Sequence, residues 1–131
     1  MSEFIMRKNE TDRVPDLLLT EVPDFINSAE YKNLGAKFQK NPGVLCGAFK
    51  DYFIRLQEDE ITGRASREAL TELERCYNAI EKLAGDRDAS VSDLVVVEIW
   101  EHLWCSDRAL ERIWLRMGPN FRKIAERFSR D

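Results

Sequence analysis

The stretch Ser66–Trp104, SREALTELERCYNAIEKLAGDRDASVSDLVVVEIWEHLW, reads as two helices joined by a tight, charged elbow. In its first half Ala69, Leu70, Leu73, Cys76, Tyr77, Ile80 and Leu83 recur at the three-and-four spacing that lines one helical face. Ser66 is placed to cap that helix, Glu68 in the first turn opposes the positive end of its dipole, and Gly85 stops it. Ser90 with Asp93 three residues on has the form of a capping box for the second helix. From Val91 the chain is apolar almost all round, the pattern of a buried helix. The run Leu94–Val97 has the β-branched composition of a strand, but its length and flanks favour helix. The pair predicts an all-α domain with a buried central helix and with Leu73, Tyr77, Ile80, Val96, Ile99, Trp100 and Leu103 in the core.

Outward from this pair the rest of the chain carries helical patterns too. Residues 1–12 read as a polar, flexible lead-in, and 13–131 as a single all-helical domain. Pro15 suits a first helical turn, with Asp12 as its cap and Leu17, Leu18, Val22, Phe25 and Ile26 as an apolar face; Pro23 kinks or restarts that helix. Residues 27–43 form a partly helical connection ending in a turn. Val44–Gln57 is a helix whose inner face holds Leu45, Ala48, Phe49, Tyr52, Phe53 and Leu56. Asp107 is placed to cap a helix carrying Leu110, Ile113, Trp114 and Met117. Gly118–Pro119 ends that helix, and a last one packs Phe121, Ile124, Ala125 and Phe128. The expected architecture is an irregular bundle of five to seven helices, in which 66–104 could form a solenoid-like pair.

Composition bounds function mostly by exclusion. With 131 residues, 44% hydrophobic and 34% charged, the chain can bury a core without disulfide or metal staples. Cys46, Cys76 and Cys105 are odd in number and form no Cys-x-x-Cys pair, so neither a disulfide framework nor a zinc site is expected; a reducing, cytoplasmic setting is. Charged residues interrupt every apolar run near the N-terminus, and no later run approaches the ~20 apolar residues of a membrane span. The six glycines never take a phosphate-cradling spacing, and no nucleophile elbow or catalytic triad pattern occurs. His102, the one histidine, lies a turn from Glu98 and near Cys105. That is too few ligands for a zinc site, and surface or half-buried hydrogen bonding is the commoner use of such a pair. No catalytic residue, metal or cofactor is expected.

Charge is unevenly placed. Residues 58–105 hold 12 Asp/Glu against 5 Lys/Arg, whereas residues 106–131 hold 7 Lys/Arg against 4 Asp/Glu. Arg108, Arg112 and Arg116 recur every four residues and could track phosphates. Yet Glu111 and Glu126 interrupt that patch and the net charge is −4, so nucleic acid is not the expected partner. The acidic middle suits a basic protein partner better.

Leu17–Phe25 (LLLTEVPDF), Gly47–Phe53 (GAFKDYF), Glu81–Asp86 (EKLAGD), Val95–Leu103 (VVVEIWEHL) and Met117–Pro119 (MGP) follow one another in an order that resembles a small bacterial family. Its members are short, all-helical, largely uncharacterised cytosolic proteins, some of which serve as immunity proteins of polymorphic or contact-dependent toxin systems. The resemblance spans about residues 14–128 and implies a non-catalytic module that neutralises a toxin domain by binding it. The alternative is an adaptor or regulatory helical protein. It transfers no functional residues, because its motifs are helix-packing positions. The docking surface expected from charge is the elbow with the mixed arc after it: Asp86, Asp88, Asp93, Glu98, Glu101 and His102, with Val91, Leu94 and Cys105 as apolar anchors. The competing expectation is that this arc packs on the N-terminal helices and leaves only its carboxylates wet. A far-ultraviolet circular dichroism spectrum should be dominated by helix; a strand-dominated spectrum would overturn the all-α reading.

Overall fold

The computed structural model describes residues 13–128. Seven α-helices occur there and no strand: α1 (Arg13–Glu21), α2 (Ala29–Lys32), α3 (Pro42–Ile61), α4 (Arg67–Ala84), α5 (Ala89–Val95), α6 (Asp107–Arg116) and α7 (Pro119–Phe128). Short 3₁₀ turns at Pro23–Asn27 and Ala36–Phe38 connect the first helices, and a π-helical turn at Val96–Trp100 continues α5. The result is the expected all-α bundle in a single domain. The expected cap Asp12 and the lead-in 1–12 lie outside the described residues.

Two helices organise the rest. The inner face of α3 buries Leu45, Cys46, Phe49, Tyr52, Phe53 and Leu56, while α4 buries Leu73, Cys76, Tyr77, Ala79, Ile80 and Leu83. α4 packs against α1, α3, α5 and α7, and α3 carries α2, the π turn and α6. The central position expected for 91–104 therefore belongs to α3 and α4. Aromatic rings bind the layers edge to face: Phe25 meets Phe49 at 5.5 Å between centroids, and Phe53 meets Tyr77 at 5.1 Å.

The helix ends follow their chemistry. Asn41 accepts from the Val44 amide with Pro42 in the first turn, so α3 begins two residues before Val44 and runs on to Ile61. Ser66 caps α4 as expected, by accepting from the Ala69 amide at 3.0 Å. Two caps differ from expectation by one or two positions. Asp88, not Ser90, caps α5, and Ser106, not Asp107, caps α6 by accepting from the Ala109 amide. After α3 the chain turns at Gly63, whose φ of 75° lies in the region open to glycine. The connection 27–43 is partly helical as expected, and Pro23 does restart the chain, as a 3₁₀ turn that buries Phe25 but leaves Ile26 exposed.

The segment 91–104 departs most from its reading. It is not one helix, because α5 and its π turn end at Trp100 and residues 103–106 are irregular. Val96 and Ile99 are buried as expected, Trp100 and Leu103 are only partly buried, and Trp104 is 78% exposed. In α6 the buried stripe is Ala109–Ile113–Met117, and Leu110 is exposed.

α7 is fastened from a distance. The Glu81 carboxylate, on α4, accepts from the amides of Asn120 (2.8 Å) and Phe121 (3.1 Å), two of the donors that a helix start leaves without partners. Gly118 permits this, since a Cβ there would lie 2.3 Å from the Glu81 carboxyl carbon. Two substitutions test this framework by urea denaturation. Ile99→Ala, at a fully buried position, should cost ~2–5 kcal/mol through lost transfer energy and a cavity. Glu81→Ala should cost about 1–2 kcal/mol as the α7 cap is lost.

Candidate functional site

The six acidic-arc residues do not share one surface role. Asp86 lies in the elbow after α4, where it pairs with Arg13 of α1 and accepts from the Asp88 amide at 2.8 Å. Partial desolvation raises its pKa, but the Asp88 amide and the Arg13 and Arg87 charges outweigh this and hold the carboxyl below the usual aspartate value. Asp88 accepts from the Ser90 amide (2.9 Å) and hydroxyl, and these bonds lower its pKa. Both residues hold the elbow together. Glu98 is half-buried and faces the start of α3, its carboxylate 3.4 Å from where a Gly43 Cβ would lie. His102 does not sit against Glu98 as a pair. Its Nδ1 lies 2.6 Å from the Val97 carbonyl oxygen, one π turn back.

The apolar anchors also change places. Val91 and Val95 are fully buried and Leu94 packs on the core, so that side of the arc is interior. Val97 and Trp104, within the stretch from Val91 that reads as a buried helix, are 44% and 78% exposed. Ser90, Asp93 and Val97 are exposed at spacings of three and four along α5 and its π turn, one outward stripe, and Glu101 and Trp104 are exposed in the non-helical segment that follows. Asp93 and Glu101 bracketing Val97 were the signal available in the sequence. Valine on nearly every side of the helix hid the phase, and the two carboxylates mark the wet side. Together these positions expose two apolar side chains and two carboxylates, and His102 beside Glu101 in the chain is exposed too.

Sequence reasoning did not foresee a polar network between α3, α4 and α6. Tyr77 donates to Gln57 Oε1 at 2.6 Å, and Gln57 donates from Nε2 to Glu60 at 3.3 Å. Arg116 then contacts Glu60 (2.9 Å) and Glu74 (2.7 Å), and its guanidinium lies 4.5 Å from the Tyr77 ring centroid. Arg112 joins Glu60 at 3.1 Å. Two of the three arginines spaced every four residues are thus engaged by carboxylates of this chain. Burial pushes the Cys46 thiol up to about 12, with Glu98 adding to the effect, and raises Cys76 well above its ordinary value; neither is a thiolate near neutrality. Among the described residues no group of three or more His, Cys, Asp or Glu is placed to hold a metal.

The elbow carboxylates give the fold an acid limit. Asp86 and Asp88 have lowered pKa values when folded, so the unfolded chain takes up their protons first. Their stabilisation is complete above the ordinary aspartate value of 3.8 and is lost as pH falls through the lowered values. The stability gap between the parent chain and Asp86→Asn should be widest near neutrality and close as pH falls below about 4, measured by urea titration across pH. Tyr77→Phe, which leaves the buried Gln57 carbonyl without its donor, should cost about 1–3 kcal/mol in the same assay.

No described helix is long and apolar enough to cross a membrane. The chain finds no match among curated proteins or among solved structures. Residues 15–130, nearly the whole chain, match one family model, and the chain belongs to that family, DUF7674, a domain of unknown function.

Proposed function

We propose that this chain is a non-catalytic protein-binding module that presents the outward stripe of α5 and its π turn to a basic protein partner. The observation that carries this reading is Trp104, a large aromatic side chain 78% exposed, in the segment just after the π turn, where Asp93, Val97 and Glu101 are exposed as well. Exposed tryptophan is a costly surface residue and a frequent centre of binding energy at interfaces. Carboxylates of the same segment would speed encounter with a positive surface, and the apolar contacts would set the residence time. The sequence resemblance to immunity proteins supplies the finer reading: a cytoplasmic protein that neutralises a bacterial toxin domain by covering it.

Of the residues first assigned to the surface, Asp93, Glu101 and His102 remain its polar part. Asp86 and Asp88 are committed to the elbow, and Glu98 to the start of α3. The test is calorimetric titration against the toxic domain encoded beside this chain, at low and moderate salt. Trp104→Ala should weaken binding at least about tenfold, the effect of a central aromatic anchor. Asp93→Lys with Glu101→Lys should slow association and flatten its salt dependence while leaving folding unchanged. Unaltered affinity in both variants removes this face as the docking surface. A neighbouring domain that does not bind at all removes the immunity reading.

A further inference from the structure

The outer side of α6 lies opposite its buried stripe. Arg108, Glu111 and Leu115, spaced three and four apart, share one face turned away from Ala109 and Ile113, and all three are exposed. Leu115 is 69% exposed, a large apolar side chain left outside a helix whose inner side is already filled. The other charges of this helix are spoken for: Arg112 and Arg116 are held by Glu60 and Glu74. Among the described residues nothing pairs with Arg108 or Glu111. The segment before α6 adds Trp104, 78% exposed. The face therefore offers one unpaired cation and one unpaired anion a turn apart, with an exposed apolar side chain toward each end of the helix.

We propose that this face binds a second copy of the chain, with the two α6 helices antiparallel about a two-fold axis. When Arg108 of one copy faces Glu111 of the other, exchanging the copies generates the same pair again, so the face is complementary to itself. A parallel pair would set Arg108 on Arg108 and Glu111 on Glu111, which repel. Antiparallel packing also carries Leu115 toward residues 103–106 of the second copy, which present Trp104, and so covers apolar surface at both ends. A partner of a single charge sign suits the face less well, because it would repel one of the two charges. α6 is about 15 Å long, so the contact is small and the dimer weak. Trp104 is also the residue offered above to a basic partner, so the dimer and such a complex would compete for it. The test uses the isolated chain and stands whether or not that partner exists.

Sedimentation equilibrium of the isolated chain, from about 5 to 500 μM at low salt, should show monomer and dimer with a dissociation constant of about 10–100 μM. Arg108→Glu alone, or Glu111→Arg alone, sets like charges against each other across the axis and should weaken association at least about tenfold. The double reversal, Arg108→Glu with Glu111→Arg, restores both pairs and should associate like the parent chain. The two single variants mixed together should associate more tightly than either does alone, since each then meets its opposite. Leu115→Ser should weaken association several-fold. All three positions are exposed and lie opposite the buried stripe, so folding is unaffected. A monomer at every concentration, a dimer indifferent to both single reversals, or a double reversal that does not restore association would overturn the proposal.

Discussion

The register of α3 against α4 is the constraint on which the other contacts depend. Two buried hydrogen bonds set it: Tyr52 on α3 donates to Glu72 on α4, and Tyr77 on α4 donates to Gln57 on α3, each pair twenty residues apart in sequence. Apolar contact alone would tolerate sliding by a turn, because one leucine-sized side chain replaces another at modest cost. A carboxylate, an amide and two phenols buried in the same interface do not tolerate it. Any slip leaves several of them without partners, at about 1–3 kcal/mol for each neutral group and more for the charge. The interface is thereby restricted to one alignment.

What packs on α3 and α4 inherits that alignment. Tyr77 and Gln57 lead to Glu60, which with Glu74 receives Arg116 and so seats α6 over the pair. One turn further along α4, Glu81 receives the first amides of α7, and just beyond the helix Asp86 receives Arg13 of α1. The five segments that carried the sequence resemblance meet one another in this scheme. Phe25 of the first packs on Phe49 of the second, and Glu81 of the third fills the space beside Gly118 of the last. Their order along the chain records how helices fit together, which is why the likeness is informative about fold and transfers no residue of a binding site.

Legibility followed how many independent signals each segment carried. α4 has a one-sided apolar stripe, a serine cap and a terminal glycine; the cap and the glycine agree with the structure, and of the stripe Leu70 alone is exposed. In α3 the stripe was plain but the start was misplaced, since Asn41 and Pro42 had been absorbed into a turn. For 91–104 the apolar positions surround the axis, so periodicity could not fix which side faces inward, and a π turn with an early end moved Trp104 out of its assumed helix. The same ambiguity ran through the candidate surface: three of its five acidic residues, Asp86, Asp88 and Glu98, close the elbow or face α3. Long-range polar pairs such as Gln57–Tyr77 and Arg116–Glu60 have no local signature, because each joins residues twenty or more positions apart.

The absent side chain at position 118 couples two distant places in the chain. Glu81 occupies the volume where a β-carbon would stand, so the two positions behave as one site filled from either end. A relative with alanine or serine at the later position must carry a shorter or displaced residue at the earlier one, and must then draw the first amides of the last helix to another acceptor. Paired variation at these positions, with a compensating Ser, Thr or Asp at the helix start, is the record such an exchange would leave across the family.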